Sequence, residues 1–273
     1  MLSTILRTAV QARLIGTNPA EGVKLPRDRS RDVKPVTISR KDFFGKLLPS
    51  VPPRHRAIVC AAAGAGLRWG ECAGLTWSSV DLDRAVLRVV QVAGETHGGI
   101  LLRPYPKTRA GVRTVPLPAF LLAQLRALLP SDDVTPDPRS LVFRDRVGRP
   151  LRRSNFCRRV WLPSLVRAGL LGKVVNTGPD RYRAVWPDRE GVEWSAEFTT
   201  EREAVACVAA KAAGGMRFHD LRRAYATWLV ADGVPINLVQ GDGPRAGVDD
   251  TQSLYAHPGR LRGPRLGCLH VAC

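Results

Sequence analysis

Apolar residues recur at helical spacing over most of the chain and alternate only in short stretches, which predicts helices packed around a small stranded region. Over "MLSTILRTAVQARLIGT", Leu2, Ile5, Leu6, Val10 and Leu14 share one face, and Asn18-Pro19 stops the pattern. A helix this short does not hold itself up. Residues 1–31 therefore read as the last helix of a domain whose earlier part is absent, leading into the Pro- and charge-rich linker "LPRDRSRDVKPVT".

From Ser39, helical patterns at "SRKDFFGKLLPSV" and "RHRAIVCAAAGAGLRWGECAGL" lead to "WSSVDLDRAVLRVVQV", where Val and Leu alternate as in strands. "ILLRPYPKTRAGVRTVPLP" predicts a hairpin turning at residues 108–111. A helix at "AFLLAQLRALL", a polar loop, a short strand at "LVFRD" with a turn at Gly148, and a helix at "RRSNFCRRVWLPSLVRAGL" follow.

The texture then changes. Residues 173–215 predict three short strands, turning at Gly178-Pro179 and at residues 188–191, and then a helix capped by Thr199 or Thr200 with Glu203. Trp186, Trp194 and Phe198 are expected to form the small core of this unit. "FHDLRRAYATWLVADG" is a helix with Gly233 near its end, and "PINLVQ" begins another. The fold class is mainly α with a small antiparallel β-sheet and an inserted three-stranded-sheet-plus-helix module.

Composition narrows the partners. Lys and Arg number 42 against 24 Asp and Glu, a formal net charge of +18 over 273 residues, and 44% of residues are hydrophobic. The core is ample, and the charge calls for a polyanion. Nucleic acid is favoured over a membrane, because no apolar run reaches the roughly 18 residues of a span. The six cysteines lack paired spacing and the five histidines lack ligand spacing, so free thiols in a reducing cytoplasm and no metal are expected. Neither a cofactor nor a small-molecule substrate is expected.

The chemistry-bearing residues are a set of basic groups followed by a tyrosine: Arg68 in "GLRWGE", Lys107 in "PKT", His219 and Arg222 in "HDLR", and Tyr255 in "SLYAHP". His219 and Arg222, three apart, share a helix face. Through "AGLRWGECAGLTWSSVDLD", "PKTRAGVRTVPLP" and "FHDLRRAYATWLVADGVPINLVQ", residues 37 to 258 resemble the catalytic domain of tyrosine recombinases, the phage-type integrases. Residues 1–31 resemble the end of the core-binding domain that precedes it.

The resemblance implies a catalytic domain in two parts, 37–172 and 216–258, interrupted by the insert at 173–215; the tail at 259–273, rich in Arg and Gly with little amphipathic pattern, is expected to be disordered. It implies cleavage and rejoining of DNA through a 3′-phosphotyrosyl ester, with Tyr255 as nucleophile. Arg68 and Arg222 would clamp the phosphate, Lys107 would protonate the departing 5′-oxygen, and His219 would assist proton transfer. Glu71, one turn after Arg68, would hold that guanidinium, though a helix-surface ion pair reads equally well. Tyr225 reads as core. A nucleoid-associated tetramer on DNA is the assembly that the resemblance implies. The insert resembles small modules that bind arm-type DNA, against the simpler reading of a passive surface insertion.

One stretch departs from the family. Where it carries a "VMGH" turn before the nucleophile, this chain has "GDGPRAGVDD", with Arg245 at the position of the family's His. Back-translated and read one base later, Gly241 to Thr251 allows Val-Met-Gly-His-Ala-Arg-Val-Ser-Thr-Thr. Residues 241–250 and 259–273 thus read as frame-shifted, with a divergent loop and tail as the alternative. The expected function is a site-specific recombinase impaired in this copy. The alternatives are a catalytically inactive DNA-binding remnant and a type IB topoisomerase-like nicking-closing enzyme.

Overall fold

The computed structural model describes residues 2–23, 36–96, 99–104, 112–129 and 135–235. Residues 1–35 and 36–273 form separate units. In the first, helix α1 (Leu2–Gln11) buries none of its residues. Its start is tied locally, since the Asn18 side-chain amide donates to the Ser3 carbonyl at 3.2 Å.

The second unit opens with helix α2 (residues 40–50), capped by Ser39, whose hydroxyl accepts from the Asp42 N–H at 3.0 Å. A π turn at Phe43–Leu47 widens it, with the Leu48 N–H bonded to the Phe43 carbonyl. Helix α6 (residues 153–167) contains a second π turn, Cys157–Trp161, with the Leu162 N–H on the Cys157 carbonyl. Each π turn is followed by Leu-Pro-Ser, at Pro49 and Pro163. A proline has no N–H to donate four residues back and its ring crowds that carbonyl, so one wider turn lets the helix pass through it.

Helices α3 (Pro53–Gly64), α4 (Trp69–Ala73) and α5 (Ala119–Arg126) complete the first half. The continuous pattern at "RHRAIVCAAAGAGLRWGECAGL" is thus two helices. Gly66 breaks it at φ +61°, a conformation that the Cβ of other residues opposes. Gly64 lets α5 come close, since a Cβ there would lie 2.6 Å from the Phe120 ring.

Strands β1 (Val80–Asp81), β2 (Val86–Val89), β3 (Gln91–Thr96), β4 (Gly99–Pro104) and β5 (Arg113–Pro116) form two small antiparallel sheets. β2 alternates as expected, with Leu87 and Val89 buried and Arg88 exposed. The hairpin expected across residues 100–116 is corrected: β4 pairs with β3 (Val92 opposite Arg103), whereas β5 pairs with β2 (Leu87 opposite Val115). β3 and β4 are only two residues apart in sequence, so they pair at little loop cost. The expected turn at 108–111 lies outside the described residues. "LVFRD" is also corrected, because only the isolated bridges Thr76–Leu141 and Arg144–Pro150 form there.

Residues 173–215 contain β6 (Lys173–Gly178), β7 (Arg181–Pro187) and β8 (Glu193–Phe198), an antiparallel sheet in sequential order, followed by α7 (Glu201–Lys211). Thr200 caps α7, its hydroxyl accepting from the Glu203 N–H at 3.2 Å. The segment's expected small core is corrected. Ala184, Trp186, Ala204, Val205 and Val208 belong to the same buried cluster as Leu165, Leu171 and Met216 of the main body. Trp194 is 55% exposed, and its ring N–H donates to Asp188 at 2.8 Å. Helix α8 (Asp220–Ala231) closes the described body, with Trp228 against Phe43 at 5.4 Å between ring centroids. Gly233, at φ +85°, ends it as expected. The helix expected at "PINLVQ" runs into residues outside the description.

Candidate functional site

Arg68 stands at the N-terminal cap of α4 with extended backbone, where its N–H donates to the Glu71 carboxylate at 2.9 Å and its Nη1 to the same carboxylate at 3.1 Å. Glu71 is not on the surface, so the surface-pair reading is corrected: its side chain is 1% exposed. The second cation comes from β5. Arg113 donates Nη1 to Glu71 Oε1 at 3.1 Å and Nη2 to Oε2 at 2.7 Å, a two-pronged pair with Arg113 itself 8% exposed. Burial would raise the Glu71 pKa, but the hydrogen bonds and charge of Arg113, with help from Arg68, outweigh it and hold the carboxyl below its ordinary value. Glu71 thus anchors Arg68, whose side chain is 43% exposed.

Helix α4 is set against the hairpin by two glycines. A Cβ on Gly70 would lie 2.8 Å from the Ala93 carbonyl, and one on Gly74 2.8 Å from the Ala93 nitrogen. Gln91 completes the contact, donating to the Gly74 carbonyl at 2.6 Å.

The loop before Arg68 meets α8. Arg222 Nη1 donates to the Gly66 carbonyl, and Gly66 lies so close to Tyr225 that a Cβ would sit 2.5 Å from its ring. Tyr225 is buried, as expected for core. Just ahead of α8, His219 is exposed, and the Arg222 N–H bonds its carbonyl at 3.1 Å. Partial removal from water, and then the charges of Arg222 and Arg223, lower its pKa against the pull of Asp220, with a smaller push from Arg68. The imidazole is therefore neutral at neutral pH, able to accept a proton.

Neighbouring aromatic residues hold the two segments together. Trp69, next to Arg68, meets Phe218, next to His219, edge to face at 5.2 Å. Phe156 touches both, and Trp161 contacts Phe218 while its ring N–H donates to the Met216 carbonyl at 2.8 Å. The buried Asp220 fixes the turn, accepting from the Arg217 N–H at 2.7 Å and from Arg223 Nη1 at 3.0 Å.

Of the expected site residues, Arg68, Glu71, His219 and Arg222 are thus brought together. Lys107, Arg245 and Tyr255 lie outside the described residues. Arg113 and Asp220 are the partners that the sequence reading passed over. Arg113 offered a signal, a charge at the head of a short strand that runs into Val115 and Pro116, and Asp220 stands inside "HDLR" itself. Two guanidiniums beside a neutral imidazole suit an oxyanion whose charge is spread over several oxygens. Among the described residues, no cluster of His, Cys, Asp and Glu could hold a metal, and Cys60, Cys72, Cys157 and Cys207 are free thiols.

The sequence profile of the phage integrase family matches residues 46–170, the stretch that carries Arg68, Glu71 and Arg113. Over that stretch the chain is similar to the phage integrase family, the tyrosine recombinases. The chain is 37% identical over 120 residues to prophage integrase IntR of Escherichia coli, covering 43% of this chain and 27% of the relative. To a tyrosine recombinase XerC-like protein of Caldanaerobacter subterraneus it is 23% identical over 281 residues, covering 94% and 60%. The chain spans less than two thirds of either relative. In fold it is similar to the Tn1549 transposon integrase solved in complex with circular intermediate DNA, at a TM-score of 0.56 and 19% identity, covering 93% of this chain and 72% of that one. The tyrosine recombinase catalytic-domain fold is thereby its fold. Among the described residues, no helix is long and apolar enough to cross a membrane.

Proposed function

We propose that this chain cleaves and rejoins double-stranded DNA in site-specific recombination. The observation that carries the reading is the convergence of Arg68 with His219 and Arg222, in which Arg222 reaches back 156 residues to the carbonyl of Gly66. Arg68 and Arg222 clamp the non-bridging oxygens of the scissile phosphate, and the charge that builds there in the pentacovalent transition state is met by groups already in place. Tyr255 attacks phosphorus through its phenolic oxygen, forming a 3′-phosphotyrosyl ester as the bond to the 5′-oxygen breaks. Lys107 gives its proton to that departing oxygen, and neutral His219 relays the phenol's proton. The ester conserves the bond energy, so rejoining needs no cofactor.

The departure at residues 241–250 makes activity of the chain as written the first question to measure. A pool of nicked duplexes with randomised cores traps a covalent protein–DNA product on a denaturing gel, because the short released strand diffuses away. The expected product forms with the unaltered chain and is lost in Tyr255→Phe. Binding without any adduct is the signature of an inactive remnant, and an adduct that survives in Tyr255→Phe would refute the assignment of the nucleophile. Exchange between two sites then marks a recombinase, with self-assembly on DNA read in the same experiment.

A further inference from the structure

Beside the site but outside it lies a groove of about 480 Å³ between the first turn of α3, strand β4 and the start of α6. Arg54, Arg149, Arg152 and Arg159 line it, together with the buried His55 and Phe156. Its one carboxylate, Asp145, is already engaged by its own turn: Oδ1 accepts the backbone N–H groups of Val147 and Arg149 at 3.0 and 2.8 Å. Among the described residues, no ion pair neutralises the guanidinium of Arg149, Arg152 or Arg159. Arg54 is held at the rim by its neighbour, its Nε donating to His55 Nε2 at 2.8 Å.

The local composition is extreme even for this chain. Residues 144–159 contain seven Arg and one Asp. Like charges gathered around an open groove repel one another, and the arrangement becomes favourable when an anion with several acceptor oxygens enters. Phe156 relates the groove to the catalytic centre. Its ring meets His55 at 5.6 Å on the groove side, and Trp69 at 4.9 Å and Phe218 at 5.6 Å on the other. The groove therefore flanks Arg68 and His219 across one aromatic ring.

We propose that this groove is a second phosphate-binding site, which takes a backbone phosphate of the bound duplex other than the one cleaved. The inference rests on DNA as the partner, but not on cleavage. A duplex presents phosphates at short, regular intervals, so one anchored on Arg68 and Arg222 offers others to the neighbouring surface. Binding there fixes the duplex in position without reading its bases.

The test compares two triple variants of equal charge in a Tyr255→Phe background, which removes covalent chemistry: Arg149→Gln/Arg152→Gln/Arg159→Gln in the groove, and Arg84→Gln/Arg189→Gln/Arg202→Gln elsewhere on the surface. Thermal melting first establishes that both are folded. Duplex affinity is then measured against salt. For every arginine–phosphate pair it removes, the groove variant is expected to bind about fivefold more weakly at 0.15 M salt and to show a log–log slope shallower by about 1, for any duplex sequence. The surface variant is expected to change little. Equal shifts in the two variants would overturn the proposal. Inorganic pyrophosphate is titrated in parallel at constant ionic strength, and saturable groove-dependent binding with an unchanged duplex slope would reassign the groove to a small phosphate ligand. Failure of the parent chain to bind any duplex would sink the functional reading itself, whereas loss of the difference between variants sinks only the groove.

Discussion

Glu71 holds one negative charge between two guanidiniums in a place from which water is excluded, so its removal does more than break a salt bridge. Glu71→Gln keeps the shape but strands Arg113, and is expected to cost about 3–5 kcal/mol in urea unfolding. Because the folded pKa of Glu71 is lowered, its contribution is complete above the ordinary value of 4.5 and is lost as pH falls through the folded value. A second buried group works in a neighbouring pH window. Burial, and then the charge of Arg54, bring His55 down from 6.5 to about 4. It is neutral in the folded protein at pH 7 and must charge on unfolding in mild acid. Stability is therefore complete above pH 6.5 and declines between 6.5 and 4, by up to about 3 kcal/mol. Unfolding free energies at pH 7.5 and 5 should differ less in His55→Phe, which keeps the ring packing against Phe156 but does not titrate. Arg68, His219 and Arg222 could be read from the sequence because their neighbours in the chain are distinctive. Arg113 could not, since its partner is 42 residues away and only the pairing of β2 with β5 brings it there.

At the scale of elements, legibility followed the length of the pattern. Helices were found at the long periodic patterns, although the longest is split at Gly66, and the three strands and capped helix of 173–215 were found where expected, because Gly178-Pro179, Asp188 and Thr200 are strong local signals. The misplaced hairpin had only short strands to go on. Pairing within it was decided by proximity along the chain and by the seat of β3 on Gly70 and Gly74, which alternation does not encode. Nor did the pattern reveal that residues 173–215 share the body's core. Gly172 at their start makes this testable. Its φ is +59°, and a Cβ would lie 2.6 Å both from the Val185 carbonyl and from Val208 Cγ1. Gly172→Ala is expected to destabilise the whole unit by about 2 kcal/mol or more in a single transition. A melt in which a small early step separates from an unchanged main transition would show instead that the segment folds alone. For the same reason, deleting 173–215 would expose core, and surface substitutions are the cleaner probe of its role.

Across the whole molecule, the charge is distributed unevenly in a way that bears on the proposed binding of DNA. Residues 173–215 carry seven acidic and six basic residues, while the chain as a whole stands at +18. Nonspecific attraction to a polyanion therefore belongs to the rest of the body, which weakens the expectation of a second duplex-binding surface on the insert. Among the described residues, the first helix of the body is tied to its last. Arg40 pairs with Asp232 and lies over the Trp228 ring at 5.6 Å, while the Trp228 ring N–H donates to the Ile38 carbonyl at 3.0 Å. These links join positions some 190 residues apart. On the ribosome, Phe43 and Phe44 can meet Phe120 early, but they must wait in the nascent chain for Trp228 before their remaining aromatic surface is covered. Until then they offer an adhesive patch, and this makes the interval between synthesis of α2 and of α8 the period in which a chaperone has most to shield.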